Sequence, residues 1–204
     1  MSTNRYTRDV ILDRAGELAG RTGLAGLTMA AVARQLGLPR SLVSFHFRCR
    51  AGLQVAVLDE AARELARDMV RPALQAPEGL PRLVRLFDSW LELDGRGGSP
   101  GGGLFVATVS EFNDRPGPVR DRLLRLCMLW RHLLAGMVNA AVAAGDLRAN
   151  LDRDQFLHDL HGIMLAYHHA RRLLRDPDAV TRARLAFAAL VARAAVATGM
   201  GPPA

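Results

Sequence analysis

The 204-residue sequence predicts an all-α protein of nine helices divided into two helical domains. Apolar residues recur at the 3.6-residue spacing of helices along most of the chain, and the alternation typical of strands is nearly absent. Aromatic residues make up only 5% of the chain. No run reaches the roughly 18 uninterrupted apolar residues that a membrane-spanning helix requires. Because the N-terminus also lacks an apolar secretory segment, we expect a soluble cytoplasmic protein with no membrane contact.

Capping residues place most of the helix boundaries. Thr28 is a good N-cap for a second helix, which Gly37 ends. Pro39 suits the first position of a third helix, and Pro72 is expected to break the fourth. Asp152 is an N-cap for the eighth helix. The nine predicted helices cover about 10–22, 29–36, 39–45, 50–70, 82–93, 104–112, 117–144, 152–175 and 178–198.

The positive charge is concentrated near the N-terminus. The chain has a net charge of +7 and contains no Lys. Residues 1–50 contain eight Arg and three acidic residues, and residues 26–50 contain four Arg and no acidic residue. A localised basic surplus is the usual electrostatic footprint of nucleic-acid binding, although a solvated helix face gives the same charge pattern.

The second and third predicted helices are short and joined by a Gly-containing turn, which is the helix-turn-helix arrangement. Val43 and Phe47 are spaced to pack inward on the second helix. The remaining face of the third helix combines an Arg that can pair with guanine, hydroxyl groups that can reach phosphates or bases, and a Leu that can contact a thymine methyl group. The residues on this face are Arg40, Ser41, Leu42, Ser44 and His46.

Residues 5–64, which include "GLTMAAVARQLGLPRSLVSFHFRCR", resemble the N-terminal DNA-binding domain of the tetracycline-repressor (TetR) family of bacterial transcription regulators. The resemblance implies a DNA-binding domain over residues 4–64. It also implies that Thr28 caps the second helix at a phosphate, that Arg40, Ser41 and Leu42 read bases, and that His46 and Arg50 contact the DNA backbone. Three residues depart from the family pattern: Ser44 replaces a frequent Tyr, Pro39 a small polar residue, and Cys49 a Ser.

Residues 82–200 resemble one C-terminal type found in the same family, carried by "GGGLFVATVSEFNDRPGPVRDRL" and "AAGDLRANLDRDQFLHDLHGIMLAYHHARRLL". This resemblance implies a helical effector-binding and dimerisation domain over residues 65–204. The last two helices, about 152–198, would form a four-helix bundle with those of a second subunit. The final helix is apolar on more than one side, which suits close packing against another chain or, equally, burial within its own.

Apolar and polar side chains spread over the C-terminal helices are candidates for a small-ligand pocket. The candidates are Trp90, Phe105, Phe112, Met128, His132, Met164 and Tyr167. Four histidines share the eighth helix, and His158, His161 and His168 are spaced so that they could face one side as metal ligands. No Cys or further carboxylate reinforces them, and Cys49 and Cys127 lack C-x-x-C spacing. We therefore expect no metal and no cofactor.

The sequence thus predicts a ligand-responsive transcriptional regulator that is not an enzyme. We expect a repressor that binds palindromic double-stranded DNA as a homodimer and is released by an unidentified small molecule. Two alternatives remain open. One is a helical metal-dependent enzyme that uses His158, His161 and His168, and the other is an interaction protein that has lost DNA binding.

Overall fold

The computed structural model describes residues 8–95 and 101–196, so residues 96–100, between the fifth and sixth predicted helices, and residues 197–198 of the predicted ninth helix lie outside the described residues. Within these ranges the chain forms α-helices and contains no β-strand; Leu147 and Ala195 form one isolated bridge. The helices are α1 (Arg8–Thr22), α2 (Met29–Leu36), α3 (Arg40–Phe47), α4 (Arg50–Leu65), α5 (Arg71–Leu74), α6 (Leu80–Gly95), α7 (Gly101–Phe112), α8 (Pro118–Ala143), α9 (Arg153–His169) and α10 (Ala179–Ala194).

Two π-helical turns extend the α-helices. Ala66–Val70 joins α4 to α5 without a break, and Ala170–Leu174 continues α9. When each continuous stretch is counted once, the described residues form nine helices. The predicted all-α fold is therefore confirmed.

The caps explain why α2 and α9 begin where they do. The Thr28 hydroxyl oxygen accepts a hydrogen bond from the backbone N–H of Ala31 at 3.1 Å, and Asp152 Oδ1 accepts one from Gln155 at 3.0 Å. At the end of α2, Gly37 adopts φ +66°, which an L-residue with a Cβ disfavours. Three of the predicted boundary residues thus perform their predicted roles.

Several predicted boundaries differ from the structure, most clearly those of the third and fourth helices. Pro39 is the N-cap of α3 rather than its first residue, and α3 extends two residues beyond Phe45, to Phe47. The fourth helix does not break at Pro72, because the chain stays helical to Leu74. The preceding π-helical turn contains Asp68, whose carbonyl is the group that a proline ring at position 72 would meet in a regular α-helix.

The described chain divides into two compact units. The first contains residues up to Val70 together with Glu92–Met128, and the second contains Arg71–Leu91 and the residues from Leu129 onward. In the first unit α1 packs on α4, α2 on α3, and α4 on α7. Its buried core includes Ile11, Leu24, Leu27, Val32, Val43, Leu53, Leu58, Leu104, Phe112 and Leu123. The division into domains 4–64 and 65–204 stays a prediction.

The second unit is built around α9 and α10, which pack on each other. The ring of Phe87 on α6 stacks on that of Phe187 on α10, with centroids 4.2 Å apart. Trp90 meets Tyr167 edge-on at 5.2 Å, and the Tyr167 hydroxyl donates a hydrogen bond to the Leu91 carbonyl at 3.1 Å. These aromatic contacts join α6 to both C-terminal helices.

Among the described residues, α8 alone is long and apolar enough to cross a membrane by length and composition. The core helix of a soluble protein passes the same test, so this finding is weak evidence for a membrane segment. Leu124, Met128 and Leu129 on α8 are exposed.

Candidate nucleic-acid interface

The outward face of α3 is opposite its buried face. Val43 is fully buried and Phe47 is 5% exposed, so these two side chains define the inward direction. At about 100° per residue, Phe45 points about 180° from the midpoint between them. Its ring is 79% exposed, the highest fraction among the exposed large apolar side chains of the described residues. The centre of the outward face is therefore an aromatic ring.

The residues predicted to read bases surround Phe45. Arg40 and Ser41 are exposed at the start of α3, whereas Leu42, Ser44 and His46 are half-buried along its flanks. The His46 ring contacts Phe45 edge-on, with centroids 5.3 Å apart. The structure thus brings all five predicted residues of α3 onto the solvent-facing part of one helix, with Leu42 less exposed than the sequence suggested.

The electrostatic character of this surface is uniformly positive. Arg34 near the end of α2, Arg40, and Arg48 just after α3 are exposed, and none of them has an acidic partner among the described residues. No acidic residue occurs between residue 18 and residue 58 of the sequence. Unpaired guanidinium groups that converge on one surface are suited to bind phosphates or guanine edges.

Thr28 and Arg50, both predicted to contact the DNA backbone, have structural partners. Thr28 is half-buried and its hydroxyl caps α2. The Arg50 guanidinium turns back toward the chain: Nε donates to the Leu27 carbonyl at 2.9 Å, and Nη2 donates to the Ala25 carbonyl. Arg50 has further N–H groups, so its predicted phosphate contact stays a prediction beside this structural role.

Phe45 was absent from the predicted site residues. A helical wheel drawn from Val43 and Phe47 would have found it, because the wheel places this large apolar residue on the face opposite the buried pair. The sequence prediction selected polar and charged side chains for their hydrogen-bonding capacity and so omitted this ring.

The seven candidate ligand-binding residues are divided between the two units, and their use in a ligand pocket stays a prediction. Phe112 is buried in the core of the first unit with Phe105 packed beside it, and Met128 and His132 are exposed. In the second unit Trp90, Met164 and Tyr167 are buried, and Met164 lines a small cavity. That cavity has a volume of about 10 Å³ and is lined by Leu83, Leu86, Phe87, Trp130, Leu134, Leu160 and Met164.

The histidines of α9 are on its solvent side. His158, His161 and His169 are exposed, and His168 is half-buried. Desolvation of the imidazole lowers the pKa of His161, and the nearby His158 lowers it further. Among the described residues no three His, Cys, Asp or Glu side chains approach closely enough to hold a metal ion. The predicted cluster therefore does not form a metal site within one chain.

A basic, acid-free third helix joined to α2 by a tight glycine turn defines a helix-turn-helix DNA-binding protein. A comparison with protein families agrees. Residues 11–57 match the bacterial regulatory proteins of the TetR family, and residues 79–187 match the tetracyclin repressor-like C-terminal domain. The chain therefore belongs to the TetR family and is a ligand-responsive, DNA-binding transcriptional regulator. Members of this family are typically not enzymes.

Solved structures of the same family have the same fold. A TetR transcriptional regulator from Chloroflexus aurantiacus superposes with a TM-score of 0.77 at 22% identity, covering 91% of this chain and 92% of that one. A TetR-family regulator from Cytophaga hutchinsonii gives 0.79 at 16% identity, covering 96% and 98%. A ketosteroid transcriptional regulator of Mycobacterium tuberculosis gives 0.69 at 16% identity, covering 96% and 97%. A comparison with curated proteins found no match.

Proposed function

We propose that this protein is a cytoplasmic repressor whose α3 reads the major groove of a palindromic operator. The observation that carries the proposal is the outward face of α3, where Arg40, Ser41 and Ser44 flank an exposed aromatic ring and Arg40 has no acidic partner among the described residues. In this proposal Arg40, Ser41, Leu42 and Ser44 contact base edges or nearby phosphates. Thr28, His46 and Arg50 contact the DNA backbone.

We further propose that two copies associate through α9 and α10. The buried face of α10 includes Phe187 and Leu190, while Leu185 on its opposite face is 66% exposed. Arg184 forms an ion pair with Asp88, and Arg193 forms one with Asp159. Both arginine charges are therefore partly neutralised within their own subunit. An apolar strip bordered by arginines that already have partners is suited to a second subunit of the same kind. Two recognition helices would then meet half-sites about one DNA turn apart.

The effector is proposed to be a small molecule bound in the C-terminal domain. The small cavity lined by Phe87 has mostly apolar walls, and its volume of about 10 Å³ would have to expand before it could hold such a ligand. A ligand changes DNA affinity only if it binds the two conformations of the dimer unequally. The proposed effector therefore favours a conformation in which the two recognition helices no longer match the operator.

The absence of enzymatic activity is part of the same proposal. The alternative of a metal-dependent enzyme needs His158, His161 and His168 to bind a metal, and these side chains do not converge within one chain. Elemental analysis of protein purified without chelators provides the test, since a stoichiometric metal would favour that alternative. The other alternative, an interaction protein that has lost DNA binding, predicts no operator complex.

Selection of bound duplexes from a random DNA pool at two salt concentrations tests the main proposal. We expect enrichment of an inverted repeat at both concentrations. Binding that falls steeply with salt but enriches no sequence would mean that the basic face binds DNA without sequence specificity. No binding at either concentration would contradict the proposal and favour the interaction protein.

We expect Phe45→Ala to weaken operator binding by about 1–2 kcal/mol, because covering an exposed aromatic ring is worth up to about 3 kcal/mol. Folding stability should change little, since the ring is 79% exposed. The loss should come from contact with a thymine methyl group. Replacing single thymines of the operator by uracil tests this. The wild-type protein should lose affinity when uracil stands at one position. The Phe45→Ala protein should bind the thymine and uracil forms of that position equally. Equal losses at every position would contradict a base contact.

Dimerisation should weaken as the pH falls below about 6.5, the ordinary pKa of histidine, because the pKa of His161 in the folded subunit is lowered from that value. The folded protein already favours neutral His161, because desolvation and the neighbouring His158 lower the pKa of His161. An interface that covers α9 would desolvate this imidazole further, so protonation would oppose association. Sedimentation equilibrium at pH 5.5 and 7.5 should give a larger dissociation constant at the lower pH. His161→Gln should reduce that difference, and His46→Gln should leave it unchanged.

A further inference from the structure

The turn between α1 and α2, residues 23–27, is held by polar side chains from two other helices. Glu111 on α7 accepts a hydrogen bond from the Ala25 backbone N–H at 2.7 Å. Gln54 on α4 is buried, and its Nε2 donates to the Leu24 carbonyl at 2.7 Å. Arg50 on α4 donates to the carbonyls of Ala25 and Leu27. All of these residues belong to the first compact unit.

The peptide groups of Ala25 lie between two opposite charges. The Ala25 N–H faces the Glu111 carboxylate, and the Ala25 carbonyl faces the Arg50 guanidinium. Hydrogen bonds to ionised groups are shorter and about twice as strong as those between neutral groups. Neither partner belongs to the turn itself, so the conformation of the turn depends on where α4 and α7 present these two side chains.

Two glycines shape this turn, and the first of them, Gly23, leaves room for the Glu111 carboxylate. Gly23 adopts φ +77°, and a Cβ there would overlap the Glu111 carboxylate. A Cβ at Gly26 would lie only 2.6 Å from the Thr22 carbonyl oxygen. The carboxylate of Glu111 therefore occupies the space that the Cβ of any other residue at position 23 would fill.

The turn leads directly into the DNA-binding helices. Leu27 is fully buried, Thr28 caps α2, and α2 packs on α3. Glu111 lies in the segment that matches the family's C-terminal domain, whereas the turn and Arg50 lie in the segment that matches its DNA-binding domain. Glu111 is thus a carboxylate from one family domain that fixes the entry to the recognition helices of the other.

We propose that Glu111 is a positioning residue for DNA binding, which holds the 23–27 turn and through it the placement of α2 and α3. The inference rests on the proposed use of α3 as the recognition helix. In this role Glu111 touches no DNA. It acts by keeping the Ala25 peptide, and with it the start of α2, in the conformation that presents α3 for binding.

Amide hydrogen exchange in the free full-length protein tests the contact without DNA. In Glu111→Ala the Ala25 amide should exchange about tenfold faster than in the wild type, because it loses a charge-assisted hydrogen bond. Glu111→Gln retains an acceptor oxygen and should stay closer to the wild type. Asp114→Ala removes an exposed carboxylate three residues away and should leave Ala25 exchange unchanged. Unchanged exchange in Glu111→Ala would overturn the contact.

Operator titration with the same three variants tests the consequence. Glu111→Ala should bind the selected operator about tenfold more weakly, Glu111→Gln should recover most of that loss, and Asp114→Ala should match the wild type. Equal losses in Glu111→Ala and Asp114→Ala, or no loss in Glu111→Ala, would overturn the positioning role. A wild-type protein that selects no operator would overturn the proposed function, while the exchange comparison would still decide whether the contact exists.

Discussion

Leu185→Arg should convert the protein to a monomer and reduce operator affinity by about 100-fold or more. The side chain is 66% exposed on the outer face of α10, so the substitution should change the stability of a single subunit little. In a dimer through α9 and α10 it would place a charge inside the interface, where an unpaired charge is strongly unfavourable. A monomer also loses the gain from binding two linked half-sites. Sedimentation equilibrium and titration of the full operator provide the measurements.

Leu129→Arg is the matched control, because Leu129 on α8 is 62% exposed but lies outside the proposed interface. It should remain a dimer with normal operator affinity. If Leu185→Arg remained a dimer while Leu129→Arg became monomeric, the interface would lie on α8. A single half-site should bind wild type and Leu185→Arg with similar weak affinity, which separates loss of association from damage to α3.

Arg40→Ala should cost about 1–3 kcal/mol of operator binding and relax the specificity at one base pair, if Arg40 pairs with guanine. Arg40 is exposed at the first position of α3 and has no acidic partner among the described residues, so its removal breaks no internal contact. Affinities for the operator and for its single-base variants provide the measurement. The specificity should relax at the same position in both half-sites.

The control for net charge is Arg125→Ala, which removes an exposed guanidinium on α8, outside the helix-turn-helix segment. It should leave both affinity and specificity close to those of the wild type. If Arg40→Ala instead weakened binding equally on every sequence and reduced the salt dependence by about one unit, Arg40 would contact a phosphate and read no base.

Most of the helical architecture could be predicted because its signals are local. Thr28, Gly37 and Asp152 act through hydrogen bonds or backbone angles within a few residues of their own positions, and these residues were placed correctly. Pro72 was misjudged for a related reason. A proline ring excludes regular α-helix locally, but a π-helical turn just before it lets the helix continue, and the spacing of apolar residues does not distinguish these outcomes.

The parts of the site that could not be predicted depend on contacts distant in sequence. Arg50 was assigned to DNA from its place in the family pattern, yet its partners are carbonyls 23 and 25 residues earlier in the chain. Glu111 is 86 residues from Ala25, and nothing in its local sequence indicates that contact. The candidate ligand residues stay a prediction, because a helical core and a pocket wall have the same apolar spacing.

The Glu111–Ala25 contact limits how freely these regulators can be recombined. A chimera that joins the DNA-binding domain to a foreign sensor domain treats the DNA-binding domain as an independent module. Here a cut after residue 64 would leave behind the carboxylate that meets Ala25, together with Leu104, Phe112 and Leu123 of the shared core. A functional chimera would need an acidic residue and apolar neighbours at the equivalent helix of the foreign sensor domain. The sensor domain should therefore be chosen for that helix, just as the DNA-binding domain is chosen for its operator.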